Sequence, residues 1–231
     1  GELNSAQNVM TAIRGLQTND RYSFVTTIEE SDGIQSGEDK DYGFFVKAAS
    51  IDLVAPVDSI YWFVNYVYDQ STAGSAGVKR GWIVNKIGGT QLGYNQSGAD
   101  LLNNTFFGSA TSANFEFIKP DKTIATASLS KSSFTANSVL FKGIINSGGK
   151  KIGYLVFNQF FGAPSRVELA SAFTLFQSQG INDLVVDLRY NPGGSTETQD
   201  TLANLIAPLA ANNKRMYTYQ FNSELQQGNF P

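Results

Sequence analysis

The chain has 231 residues, of which 42% are hydrophobic and 16% are charged, so it has enough apolar material to build a core and is not an intrinsically disordered protein. Seventeen lysines and arginines face 20 aspartates and glutamates, a formal net charge of −3. This balance lacks the excess of basic residues that nucleic-acid binding needs, and we expect no nucleic-acid partner.

Cysteine and histidine are both absent from the sequence. Their absence excludes disulfides, thiolate nucleophiles and thiolate metal sites, together with Ser-His-Asp triads and histidine-based zinc motifs. Any chemistry must therefore use serine, threonine, lysine, tyrosine or carboxylates, and we expect neither a metal nor another cofactor. The chain begins Gly1-Glu2-Leu3 without the features of a signal peptide, which we interpret as a piece whose targeting segment was removed or not included.

Residues 1–38 are expected to form an N-terminal helical segment. Apolar side chains between Leu3 and Leu16 recur close to the helical spacing i, i+3, i+4, i+7. The polar stretch 29–41 is interpreted as a linker or mobile loop, which places the first domain boundary there.

Residues 39–140 are expected to form a β-rich domain, because short apolar runs alternate with turn residues. The predicted elements are strands at 43–46, 59–68 and 82–87, a helix from Asp100 that ends at Gly108, and a hairpin made of residues 115–118 and 123–126.

Residues 141–231 follow a different pattern, with nearly continuous apolar strands at 151–157 and 183–188. A helix follows each strand. Ser165 with Glu168, and Thr196 with Gln199, have the spacing of a capping box, in which two helix-end N–H groups are satisfied reciprocally. The order strand–helix–strand–helix indicates an α/β unit with a parallel sheet.

Four segments of the sequence resemble, in order and spacing, those of one protein family. Residues 187–194 read DLRYNPGG and resemble the DLRxNxGG signature of the S41 peptidases, the C-terminal processing or tail-specific proteases. Residues 19–24 (NDRYSF), 76–89 (AGVKRGWIVNKIGG) and 151–155 (KIGYL) resemble, respectively, the end of that family's N-terminal segment, a stretch of bacterial PDZ domains and the strand that enters the protease core.

The resemblance implies an α+β multi-domain fold. It would consist of the N-terminal helical segment 1–38, a PDZ-like β-rich domain 39–140, and a partial α/β protease core of the ClpP/crotonase-like type at 141–231. The PDZ-like domain would bind the C-terminal tails of peptides or proteins by strand addition, with a backbone loop holding the terminal carboxylate. Tyr42, Gly43, Phe44 and Phe45 match that loop, where Gly43 would let the backbone approach an anion. The alternative is that Phe44 and Phe45 are ordinary core aromatics.

Gly193 and Gly194 lie where a strand turns into a helix N-terminus, and the resemblance implies that one of them donates an oxyanion-hole N–H. The alternative is a tight turn that needs glycine only for its positive φ. Asp187 and Arg189 are expected to form a structural pair, and Ser195 is expected to be a helix N-cap rather than a nucleophile.

The nucleophile of the S41 peptidases belongs to a Ser-x-Ser-Glu-like motif and its general base is a later lysine. Neither a Ser-x-Ser-Glu-like motif nor a lysine that follows such a motif occurs before Pro231, and Lys131 precedes the expected core. We therefore expect a fragment of a periplasmic or secreted serine endopeptidase, truncated before its Ser-Lys dyad and inactive by itself. A membrane contact is expected only through a lipid anchor in the full-length protein.

Two alternatives come from other classes of protein. One is a non-catalytic PDZ-type peptide-binding or scaffold protein that has lost catalysis. The other is a crotonase-like acyl-CoA enzyme, an interpretation that does not explain the PDZ-like segment.

Overall fold

The computed structural model describes residues 5–16, 19, 23–50, 60–218 and 220. Its helices are α1 (Ala6–Leu16), α2 (Ile28–Ser36), α3 (Thr72–Ser75), α4 (Gln96–Phe107), α5 (Ala163–Gln179) and α6 (Thr196–Ile206), with a 3-10 turn at Leu209–Ala211. Its strands are β1 (Glu38–Asp41), β2 (Phe44–Ser50), β3 (Ile60–Val67), β4 (Ile83–Ile87), β5 (Thr90–Gln91), β6 (Ser112–Ile118), β7 (Ile124–Ser130), β8 (Ser132–Thr135), β9 (Val139–Ser147), β10 (Lys150–Phe157) and β11 (Asp183–Asp187). Leu3, Ser59 and residues 20–22 of the N-terminal motif lie outside the described residues.

The prediction of a linker at 29–41 is wrong, because this stretch forms helix α2 and strand β1. The Thr27 hydroxyl accepts a hydrogen bond from Glu30 N, and the Glu30 carboxylate accepts one from Thr27 N, both at 3.1 Å. This capping box begins α2, and Gly37 ends it in the left-handed conformation. Strand β1 exists because it pairs with β8, a partner about 94 positions later that local composition does not indicate.

An antiparallel six-stranded sheet holds the first core. Its strand order is β2-β3-β4-β6-β7, with β5 paired to β4, so β2 is an edge strand. The predicted hairpin is confirmed as β6 and β7, in register from Ser112↔Ser130 to Ile118↔Ile124. Edge-to-face aromatic contacts fill the core beside α4, among them Tyr42–Phe106 and Phe44–Phe115.

Helix α4 ends at Phe107, before Gly108, as predicted, but it begins four residues earlier than Asp100. The Asn95 side chain accepts a hydrogen bond from Gly98 N at 2.9 Å and caps the helix. Gly98 packs so closely on Gly93 that a Cβ would lie 1.9 Å from the Gly93 carbonyl oxygen, so the helix start needs glycine there.

The second core lies under a three-stranded sheet of order β11-β10-β9. Strands β10 and β11 are parallel, as predicted, and α5 connects them. The buried side chains of this core come from β10, α5 and α6: Leu155, Phe157, Leu169, Ala172, Phe173, Phe176 and Leu202.

Neither predicted capping box in this unit forms. Helix α5 begins at Ala163, two residues before Ser165, and the Glu168 carboxylate instead accepts hydrogen bonds from Ser138 N and Val139 N at 3.2 and 2.7 Å. Helix α6 has Ser195 at its N-cap without a side-chain capping bond. Glu168 thus ties α5 to the start of β9, a tertiary contact that the spacing of residues within one helix cannot indicate.

The predicted divisions at 38/39 and 140/141 fall at or inside strands of the structure. Position 38/39 lies within β1, and 140/141 lies within β9, which begins at Val139. The assignment of three domains with these boundaries stays a prediction.

Candidate functional site

The turn at residues 187–195 joins the end of β11 to the start of α6. Asp187 lies at its base with a largely buried side chain and accepts hydrogen bonds from Arg189 Nη2 at 2.6 Å and Tyr154 Oη at 2.7 Å. The Arg189 hydrogen bonds hold the pKa of Asp187 well below its usual range, with Tyr154 contributing less. The expected Asp187–Arg189 pair is therefore present and orders the first half of the turn.

The second half of the turn is fixed by Asn191. Its Nδ2 donates to the Phe157 carbonyl at 2.9 Å, and its Oδ1 accepts from Gly193 N at 2.8 Å. Gly193 has φ +100° and Gly194 has φ +138°, and a Cβ on Gly194 would lie 2.1 Å from the Phe160 carbonyl oxygen. Both positions therefore need glycine because of their positive φ. Gly194 needs it also because its backbone lies close to the Phe160 carbonyl.

The two glycines differ in the state of their N–H groups. Gly193 N–H is already bonded to Asn191, whereas Gly194 N–H has no hydrogen-bond partner among the residues that the structure describes. Phe160 forms backbone hydrogen bonds to the two neighbours of Gly194. The Phe160 N–H donates to Gly193 O at 3.0 Å, and the Phe160 carbonyl accepts from Ser195 N at 2.7 Å. Of the two candidates from the sequence, Gly194 is the one whose donor is available.

The other candidate residues lie in the loop before β2 and at the start of β2, and their side chains have different environments. Tyr42 is fully buried and Phe44 is 3% exposed, so both are core aromatics. Phe45 is 48% exposed and stacks on Tyr66, with ring centroids 5.6 Å apart. The alternative interpretation as core aromatics therefore holds for Phe44 and fails for Phe45.

Gly43 is needed in this loop for a reason that the sequence did not indicate. With φ +81°, it lies so close to Ser71 that a Cβ would be 1.7 Å from the Ser71 Cβ. The Gly43 carbonyl accepts a hydrogen bond from Tyr68 N at 2.8 Å, and its N–H donates to the Asp41 carboxylate. The close approach that requires glycine is thus that of Ser71.

A groove of about 230 Å³ separates the edge strand β2 from helix α4. It is lined mainly by apolar and aromatic side chains: Phe45, Val46, Trp62, Ala99, Leu102, Asn103, Phe106 and Phe107. The α4 members recur at the i, i+3, i+4 spacing and therefore form one face of the helix.

Two charged residues that sequence reasoning did not select lie at the loop next to this groove. Lys131 Nζ donates to the Gly108 carbonyl at 2.8 Å, just past the end of α4, and lies 5.7 Å from the centre of the Tyr42 ring. Burial, and then the charge of Asp39, raises the pKa of Asp41 to about 6, while the Gly43 N–H and Lys131 oppose this shift.

The described residues contain no group of three or more acidic side chains arranged to hold a metal ion. No helix among them is long and apolar enough to span a bilayer.

Comparison with known proteins found matches to one protein family. Residues 151–228 match the model of peptidase family S41. A carboxyl-terminal-processing protease of Picosynechococcus sp. is 33% identical over 98 residues, which cover 42% of this chain and 23% of that protein. This chain therefore spans less than a quarter of the length of that curated relative.

Solved protease structures are also among the matches to this chain. A crystal structure described as an S41 protease of Bacteroides fragilis matches 93% of this chain and 62% of its own chain, with a TM-score of 0.57 and 21% identity. A photosystem II D1 C-terminal processing protease matches 89% of this chain and 55% of its own, with a TM-score of 0.46 and 16% identity.

The mixed α/β architecture with two main sheets is thus similar to that of a solved S41 protease structure. The 187–195 turn lies within the matched residues 151–228. These matches confirm the resemblance predicted from the sequence, and residues 151–228 of this chain carry the pattern of the S41 peptidase family.

Proposed function

We propose that this chain binds the C-terminal tails of peptides or proteins for an S41 serine endopeptidase of the C-terminal processing type, and that it holds part of that enzyme's oxyanion hole. The observation that carries the proposal is the groove between the edge strand β2 and the apolar face of α4. The loop 41–43 leads directly into β2, and its Tyr42 ring contacts Phe106 of the groove wall. In a PDZ-like module, a peptide tail adds to the edge strand beside such a groove.

In this proposal the tail adds a strand to β2. An edge strand offers backbone N–H and C=O groups on its open side, which give affinity for any extended peptide. The aromatic and aliphatic side chains of α4 and β2 select an apolar residue at the end of the tail. The terminal carboxylate binds at the loop 41–43, where Lys131 supplies the positive charge.

The oxyanion donor is assigned to Gly194 because its N–H has no partner in the described part of the chain, whereas the N–H of Gly193 is bonded to Asn191. A preorganised N–H that points at developing negative charge stabilises the transition state of acyl transfer without reorganising. The attacking group would be the serine of a Ser-Lys dyad contributed by sequence outside residues 1–231. A desolvated lysine can act as its base, which is consistent with a chain that has no histidine.

Two matched peptides test tail binding. They share an apolar C-terminal sequence, and one ends in a free carboxylate and the other in an amide. Fluorescence anisotropy titrations with the 231-residue chain should give an affinity at least ~10-fold higher for the free-acid peptide than for the amide. The amide binds more weakly because it loses a charge-assisted contact. Equal affinity for both peptides would exclude capture of the carboxylate.

The chain offers a control pair for the groove itself. Asn103 lines the groove, whereas its neighbour Asn104 on the same helix is exposed and does not line it. Asn103→Glu should weaken tail binding and Asn104→Glu should not, although both add the same charge to α4. If the two variants bind alike, the tail does not occupy this groove.

The catalytic part of the proposal needs a different test. A longer protein that continues past residue 231 with a Ser-x-Ser-Glu motif and a later lysine should hydrolyse the tail peptide, and the 231-residue chain alone should only bind it. Binding without any such motif in the gene would favour the alternative, a non-catalytic PDZ-type scaffold.

A further inference from the structure

A cavity of about 180 Å³ lies at the junction of the two main sheets, and we call it the junction cavity. The six-stranded sheet contributes residues 65–67 of β3 and the segment 78–80. The second unit contributes residues 140–141 of β9, residues 156–158 and the start of the 187–195 turn. The volume equals about six water molecules at ~30 Å³ each, enough for a small organic molecule.

The wall of this cavity includes Asn65, a buried polar side chain that is 7% exposed. In the described part of the chain, its Nδ2 is buried and has no hydrogen-bond partner. An amide nitrogen carries two donors, and leaving it buried and unpaired destabilises a fold. This unused donor therefore belongs to a side chain that lines the junction cavity.

Two cations line the same cavity. Lys79 and Arg80 line the cavity, and neither forms an ion pair within residues that the structure describes. Arg80 lies over the Tyr190 ring at 5.5 Å, which positions its guanidinium at the rim. Asp187 and Arg189 also line the cavity, but they neutralise each other.

The remaining charged lining residue is Asp69, so the cavity has an excess of one positive charge. Its other walls are largely apolar and are formed by Val67, Val78, Leu140, Phe141, Val156 and Phe157. Donors, positive charge and apolar walls are the complement of a carboxylate attached to an apolar body.

We propose that the junction cavity binds a small carboxylate with an apolar body, whose oxygens accept hydrogen bonds from Asn65 and the cations at the rim. The site shares no residue with the groove between β2 and α4, so it does not depend on tail binding. It joins both sheets, so an occupied cavity links the two units through one ligand.

The test uses two probes with the same apolar body, N-acetyl-leucine and N-acetyl-leucinamide, titrated into the ¹⁵N-labelled chain. The carboxylate should shift the side-chain NH₂ signals of Asn65 saturably, and these signals are identified by their absence in Asn65→Leu. The amide should bind at least about tenfold more weakly, because it loses the charged hydrogen bonds. Asn65→Leu should likewise weaken the carboxylate at least about tenfold.

Asn146→Leu is the matched control, because Asn146 is exposed on β9 and does not line the cavity. It should leave the affinity unchanged, whereas Arg80→Gln should lower it several-fold. Asn65→Leu should also raise the Tm of the free protein, since it removes an unpaired buried amide of similar volume. A structural role for Asn65 would lower the Tm instead.

Two outcomes would overturn the proposal. Equal binding of the acid and the amide, or an Asn65→Leu variant that binds as tightly as the parent, would remove the role of the amide donor. No saturable shift at any concentration would mean that the cavity holds solvent only.

Discussion

The carboxylate of Asp41 accepts a hydrogen bond from the backbone N–H of Gly43, in the loop that leads into β2. The proposed function assigns the same loop to the carboxylate of a bound tail. The side chain of Asp41 would thus compete with the tail for one donor while repelling its charge.

We expect tail binding to weaken as the pH rises through about 6, the raised pKa of Asp41. The terminal carboxylate of a peptide, with a pKa of about 3.5, stays ionised over this range. Protonated Asp41 neither repels the tail nor holds the Gly43 N–H as strongly. Anisotropy titrations should therefore give roughly 3- to 10-fold tighter binding at about pH 5 than at about pH 7.

The groups that affect Asp41 provide the controls. Asp41→Asn should bind tails with the same affinity at both pH values, while Asp39→Asn should keep most of the pH dependence. Because the pKa of Asp41 rises from 3.8 to about 6 on folding, its protonation stabilises the fold at acid pH. That contribution is lost as the pH rises through about 6. An Asp41→Asn variant that retains the full pH dependence of binding would contradict this account.

Gly43→Ala should destabilise the fold far more than Gly77→Ala. Both glycines have a similar positive φ, +81° and +75°, so both substitutions strain the backbone. Only at Gly43 would the new Cβ collide with Ser71, since nothing lies within 4 Å of the corresponding position at Gly77. Urea unfolding should give a loss of about 1 kcal/mol for Gly77→Ala and at least about 3 kcal/mol for Gly43→Ala. Equal losses would show that the loop can move away from Ser71.

Arg189→Ala should destabilise the fold, because it leaves the largely buried Asp187 carboxylate with Tyr154 as its remaining side-chain donor. The pKa of Asp187 should rise towards its ordinary value. A carboxylate with a lowered pKa stabilises the fold above its unfolded pKa, and this contribution is lost as the pH falls towards the folded value. Unfolding experiments at several pH values should therefore show that the free energy of unfolding falls less steeply with decreasing pH in the variant than in the parent.

The control for this variant is Arg166→Ala, which removes a pair with the largely exposed Glu197. An exposed pair contributes ~0–1 kcal/mol, so this change should be nearly neutral. Similar losses for both variants would contradict a special role for the Asp187–Arg189 pair.

Glu168→Ala should destabilise the chain by about 1–3 kcal/mol, because two backbone N–H groups at the start of β9 lose their acceptor. Hydrogen exchange should show which end of the contact is affected. We expect faster exchange at Ser138 and Val139 and little change in the first turn of α5. If Glu168 instead capped α5, exchange would become faster in the first turn of α5 and change little at Ser138 and Val139.

The sequence by itself was sufficient for features that depend on neighbours in the chain. The apolar runs gave β10 and β11, the turn residues gave the β6–β7 hairpin, and Gly108 marked the end of α4. The 187–194 signature identified the family resemblance and the two glycines. These features follow from the periodicity of side chains and the conformational range of glycine, which are local properties.

Only the tertiary structure decided which of these groups are available. Among the described residues, Asn191 bonds to the N–H of Gly193 while that of Gly194 has no partner. The close approach of Ser71 explains Gly43, and pairing with β8 makes an acidic stretch into strand β1. Glu168 lost its predicted capping role to residues 29 and 30 positions away along the chain. The groove between β2 and α4 and the unpaired amide of Asn65 likewise exist only where distant segments meet. Hydrogen-bond satisfaction and close packing depend on the neighbours in space, and a linear sequence does not specify these until the chain has folded.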